Sequence, residues 1–195
     1  SQQLAELIAH WQTVGFIHGV MNTDNMLLSG ETIDFGPCAF MDGYNSAAVY
    51  SSIDQGSRYA YRNQPSIAHW NLSCLAQALL PILHEDQEQA VALAQKAIDA
   101  FPDQFLQAHT LGMARKLGLR EIGEQDTALV EDLWQLMAQH ELDFTLTFRR
   151  LADLAHDDSG AATSVAALFE FPDALQSWLE CWRERRAQDS LSGAE

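Results

Sequence analysis

Apolar residues recur at three- and four-residue steps through most of the chain, the signature of helices that bury one face. Leu4, Leu7, Ile8 and Trp11 predict an amphipathic helix over residues 2–13, ending near Gly15. Beyond Pro65, a residue suited to a first helical turn, Ile67, Trp70, Asn71, Cys74, Leu75, Ala78 and Leu79 form one stripe. The helix they predict is expected to be buried. Val91, Ala94, Ala97, Ile98 and Phe101 mark another helix, expected to stop at Pro102, and Phe105, Leu106, His109 and Met113 mark a third that closes by Gly118. Leu129, Leu133, Leu136, Met137 and His140 give a fourth; Phe144, Phe148, Leu151 and Leu154 give a fifth, with Asp143 placed to cap it. Asp157–Gly160 breaks the run, Val165, Leu168 and Phe169 predict a shorter helix before Pro172, and Leu175, Trp178, Leu179 and Trp182 predict a last one.

Residues 16–64 lack this period. Met26–Leu28 and Thr32–Phe35 flank Ser29, Gly30 and Glu31 and predict a short β-hairpin. Residues 41–64 read as a long ordered loop, of a length that often carries function. The expected class is mainly α with one small β element. Residues 1–65 form a polar, motif-bearing region, 66–188 a helical bundle behind it, and 189–195 a frayed tail.

A chain of 195 residues can bury a core without disulfide or metal staples. Eleven basic against 27 acidic residues give a net charge of −16, which argues against nucleic acid and anionic membrane as partners. No apolar run is expected to reach the roughly 18 residues of a membrane-spanning helix, and no leader sequence is apparent. Cys38, Cys74 and Cys181 are widely spaced and read as buried structural thiols. The expected location is the cytoplasm or another reducing compartment such as mitochondria.

Chemistry concentrates between residues 18 and 36. His18-Gly19-Val20-Met21-Asn22-Thr23-Asp24-Asn25 follows a helix, and nine residues after Asn25 comes Asp34-Phe35-Gly36. Protein kinases use a loop of form HRDxxxxN, whose Asn binds metal, followed by a DFG whose Asp supplies a second ligand. His18 and Asn25 keep that seven-residue step. An amide oxygen and a carboxylate suit a hard divalent cation and leave positions for phosphate and water, so Asn25 and Asp34 are the candidate metal ligands. Val20 stands where a kinase has its catalytic Asp and cannot take a proton from a hydroxyl. Asp24 is the carboxylate within this loop and the candidate base.

HGVMNTDNM, TIDFGP and GSRYAYRNQPSIAHWNLSCLAQAL resemble the corresponding stretches of the selenoprotein O (YdiU) family, and DFTLTFRRL at 143–151 resembles a helical segment of that family. The resemblance is dense over residues 15–80, sparse to about 151, and fades beyond. It implies the C-lobe of a pseudokinase-like fold and a protein adenylyltransferase that places AMP from ATP on Ser, Thr or Tyr hydroxyls of protein substrates, with Mg2+ or Mn2+. It assigns the base to Asp24, and metal binding to Asn25 and Asp34, with Asp34 also at the nucleotide. The family's other nucleotide-clamping residues lie mostly in an N-terminal lobe, and neither a glycine-rich loop nor a strand-borne Lys precedes residue 15. That lobe of the parent chain is therefore an expected partner, and this chain alone is expected to be inactive. A kinase-like phosphotransferase and a non-catalytic helical interaction module are the alternatives.

Arg58 and Arg62 flank Tyr59, Ala60 and Tyr61 and are candidates for contact with phosphate or substrate, or for structural ion pairs. His18 is expected to brace the loop backbone. Trp178 and Trp182, four apart on one helix face, are expected to pack in the core.

Overall fold

A computed structural model describes residues 1–156 and 172–189. Seven helices dominate them: α1 Gln2–Val14, α2 Gln64–Leu83, α3 Gln87–Asp99, α4 Phe101–Leu117, α5 Thr127–Gln139, α6 Phe144–His156 and α7 Gln176–Gln188. Two short strands, β1 Phe16–Ile17 and β2 Ala39–Phe40, pair antiparallel, with Phe16 opposite Phe40 and Ile17 opposite Ala39. The expected class, mainly α with a small β element, holds. The helix expected over 165–169 and most of the expected tail lie outside the described residues.

The chain forms two compact units. The first comprises residues 1–40 and 46–109. Its core gathers Ala5, Ile8 and Trp11 from α1, Phe16 and Met21 from the following segment, Ile67 and Ala68 from α2, and Phe101. Gly15 stops α1 in a left-handed conformation, with its N–H donating to Trp11 O, and so turns the chain directly into β1. The second unit comprises residues 41–45 and the described residues from 110 onward. There Trp178 and Trp182 are buried, with ring centroids 6.2 Å apart. Their indole N–H groups donate to Leu129 O at 2.8 Å and Leu117 O at 2.9 Å, which fixes α7 as a core element. Asp143 caps α6 as expected, accepting from Leu146 N–H at 2.7 Å.

Five expectations need correction. Between residues 26 and 35 the only ladder is the single bridge Met26 to Thr32; the sheet forms instead between β1 and β2, which bracket the whole motif region. Pro102 does not end a helix but sits second in α4, where its missing N–H costs nothing. None of the three cysteines is buried: Cys38 and Cys74 are half-buried and Cys181 is exposed. Helix α2 buries only Gln64, Ile67, Ala68 and Asn71, while Trp70 is 48% exposed and Ile82 79%. Finally, the helical stretch Tyr61–Leu83 is, by length and composition alone, long and apolar enough to cross a membrane, which the sequence was not expected to contain.

Candidate active site

The motif region is built on the exit of α1. β1 delivers His18 into the core, where it is fully buried, and its ring lies 5.3 Å from that of Trp11. Gly19 follows at φ +84, and a Cβ there would meet Pro37 Cγ at 3.0 Å, so both the backbone angle and the space call for glycine. The chain then runs through Val20 to the single 3-10 turn Thr23–Asn25, which carries the candidate base and the first candidate ligand.

One imidazole ties this loop to the segment that carries Asp34. The Nε2–H of His18 donates to Ile33 O at 2.8 Å, and Val20 N–H donates to its Nδ1 at 3.3 Å. These partners define the neutral Nε2–H tautomer, because a carbonyl can only accept and a backbone N–H can only donate. Trp11 adds a second tie, its indole N–H donating to Thr32 Oγ1 at 3.0 Å. His18 therefore braces the backbone, as expected of it.

Each candidate side chain is displayed rather than buried. Asp24 and Asp34 are exposed and, among the described residues, have no ion-pair partner. Asn25 is half-buried, and its Nδ2 donates to Val20 O at 3.0 Å. That bond uses the amide's donor end and leaves Oδ1 as the end available to a cation, the orientation a metal-binding Asn requires. Asp34 adopts φ +56, a left-handed conformation uncommon for a residue with a side chain and one often found at functional sites. By donor type, the Asn25 amide oxygen and the Asp34 carboxylate are hard oxygen ligands of the kind that a divalent cation takes. Among the described residues no group of three or more His, Cys, Asp or Glu could hold a metal by itself.

Arg58 and Arg62 do not make the structural ion pairs considered for them; among the described residues neither has a carboxylate partner. The Arg58 guanidinium carbon lies 4.6 Å from the centroid of the Trp70 ring and 5.8 Å from that of Tyr59, a cation–π arrangement. Asp54 accepts from the backbone N–H groups of Arg58 and Tyr59, both at 2.8 Å, and shapes the turn. The Tyr59 hydroxyl donates to Asn22 Oδ1, which joins this loop to the motif loop. Arg62 is exposed in the 3-10 turn Tyr61–Asn63.

Three supporting residues escaped the sequence reading. Gln64, wholly buried, accepts from His18 N–H and donates to Phe16 O, both at 3.0 Å. Asn71, two helical turns further along α2, donates to Met21 O at 3.0 Å. Tyr59 makes the bond to Asn22 noted above. For Gln64 and Asn71 the available signal was the seven-residue step between two amides on one helix, which puts both on one face.

A family model described as Protein adenylyltransferase SelO matches residues 1–194. The chain belongs to the SelO family. The match extends well past residue 151, where the resemblance of the motifs thins. Among its relatives are proteins named protein nucleotidyltransferase YdiU. That of Bradyrhizobium diazoefficiens is 55% identical over 98% of this chain and 38% of its own length. That of Rhizobium leguminosarum bv. trifolii is 55% identical over 100% and 39%, and that of Methylorubrum extorquens 53% identical over 97% and 39%. The chain thus spans under two fifths of the length of these family members.

Proposed function

We propose that the full-length protein transfers AMP from ATP to Ser, Thr or Tyr hydroxyls of protein substrates, and that this chain carries the base and metal ligands within a kinase-like C-lobe. The observation that carries the reading is the imidazole of His18, bonded at once to the backbone of the Asp24/Asn25 loop and to the residue before Asp34. A site split between two loops needs such a tie to hold its parts in register.

In this reading Asp24, exposed and without an ion-pair partner among the described residues, accepts the proton of the attacking hydroxyl. The hydroxyl oxygen bonds to the α-phosphorus and pyrophosphate leaves. Asn25 through Oδ1 and Asp34 through its carboxylate would hold Mg2+ or Mn2+, which when bound offsets phosphate charge. The bond from Asn25 Nδ2 to Val20 O fixes the amide before nucleotide arrives, so orientation is not lost as entropy during binding. Arg58 and Arg62 stand on the Asn22-tethered loop as cations for phosphate or for an acidic stretch of substrate. The remaining nucleotide contacts belong to the N-terminal lobe, and this chain alone is inactive.

The test is metal-dependent nucleotide binding by the full-length protein. Titration with ATP should show binding that requires Mg2+ or Mn2+ and weakens at least about 10-fold in Asp34→Ala and in Asn25→Ala. Equal, metal-independent affinity in both variants would leave a helical interaction module as the function of this region.

A further inference from the structure

Apolar surface of the first unit stands exposed along α2. Two contiguous cavities of about 560 and 210 Å3 open there, and Leu72 and Leu75 of α2 line both. α1 contributes Leu4 to the larger, and α3 contributes Ala94 and Ile98 to the smaller. Leu28, Ile82 and Leu93 stand exposed nearby, so the surface exceeds the scattered apolar residues normal for a folded domain. Thr23, which begins the turn carrying Asp24 and Asn25, lines the larger cavity.

We propose that this groove seats an apolar segment from the part of the full-length polypeptide that family members possess beyond the stretch matched here. Three observations favour that occupant. The chain makes up only 38% of its relative's length, so most of the polypeptide is available to cover it. The groove is concave and sized for side chains, which suits a packed segment better than a planar bilayer. A net charge of −16 works against a second copy of the chain and against an anionic lipid surface. The interface does not depend on the transfer chemistry proposed above, and Thr23, the first residue of the turn that bears the candidate base, borders it.

Cys74 lines the larger cavity and reports its coverage. Alkylation of Cys74 by iodoacetamide, read by peptide mass spectrometry, should be at least about 10-fold slower in the full-length protein than in this chain, at a rate independent of protein concentration. In the full-length protein Leu75→Glu should raise the rate by a similar factor while Leu75→Met leaves it unchanged, a comparison that holds even if the isolated chain folds poorly. Equal rates in the two lengths, or no response to Leu75→Glu, would overturn the proposal. Protection that grows with protein concentration would overturn it in favour of a second copy. Protection that appears only with phosphatidylglycerol vesicles would overturn it in favour of a lipid surface.

Discussion

His18 and Gln64 lock each other into the core of the first unit: the backbone N–H of His18 donates to Gln64 Oε1 at 3.0 Å, and neither residue is exposed. Through this pair α2 grips the strand that enters the motif loop, and through its ring His18 passes that restraint to Ile33 at 2.8 Å. The motif loop is thus held by a helix residue forty-six positions further along the chain.

Removing the tie should destabilise the first unit. His18→Ala strips Val20 N–H and Ile33 O of their partner and opens a cavity beside Trp11, at a cost of about 2–4 kcal/mol. Urea denaturation should show a lower midpoint with an unchanged slope. An unaltered midpoint would mean that the ring is not a structural brace.

How much of this was legible beforehand follows from the range of each interaction. The extents of α1, α5 and α6 and the cap at Asp143 are local, so periodicity and a single side chain sufficed to find them. The pairing of Phe16 with Phe40 spans a 24-residue gap and involves two residues a side, which leaves no alternation to detect. The burial of α2 was overread because a stripe of Ile67, Trp70, Cys74 and Leu79 records which face is apolar, not whether anything in the same chain covers it. The types and spacing of His18, Asp24, Asn25 and Asp34 were readable. The left-handed conformation of Asp34, the amide orientation of Asn25 and the grip of Gln64 and Asn71 depend on long-range packing and were not.

The second unit contains a partly buried ion pair, with its carboxylate in the core, whose loss should be costly. Arg185 Nε lies 2.6 Å from Asp126 Oδ1, with side-chain exposures of 13% and 2%, and the same guanidinium bonds Asp189. Arg185→Ala leaves Asp126 charged and buried, and should cost about 3–5 kcal/mol by thermal or urea denaturation. A loss within the range of surface substitutions would show the pair to be dispensable.

The same cluster predicts an acid-side stability loss. Burial pushes the Asp126 carboxyl up, but the hydrogen bonds from Arg185 and from Gly123 N–H, with the Arg185 charge, outweigh it and hold the pKa below the ordinary 3.8. Asp189 is lowered chiefly by its hydrogen bond to Arg185. For carboxyls depressed in the folded state the stabilisation is complete above the unfolded pKa and disappears as pH falls through the folded values. Stability should therefore drop more steeply below pH 3.8 in the parent than in Asp126→Asn.

Lys116 has its effect in the alkaline range, where burial disfavours the charged form. Its ammonium lies 4.1 Å from the centroid of the Phe148 ring and 5.3 Å from that of Phe144, and burial lowers its pKa from 10.5 to about 8. Between those values the unfolded chain holds the proton and the folded one does not, so this group's contribution to stability rises with pH across that window. Lys116→Met should abolish that rise, measured as the difference in unfolding midpoint between pH 8 and 10. A slope equal to the parent's would contradict the assignment.

The central claim, that the loop of Asp24 and Asn25 and the segment of Asp34 serve AMP transfer, is tested most directly by giving the full-length protein ATP labelled at either the α- or the γ-phosphate, with Mg2+ or Mn2+. The account predicts that only the α label reaches protein, that transfer falls at least about 100-fold in Asp34→Ala, and that this chain alone transfers neither label. Transfer of the γ label alone would make the protein a kinase and contradict the account.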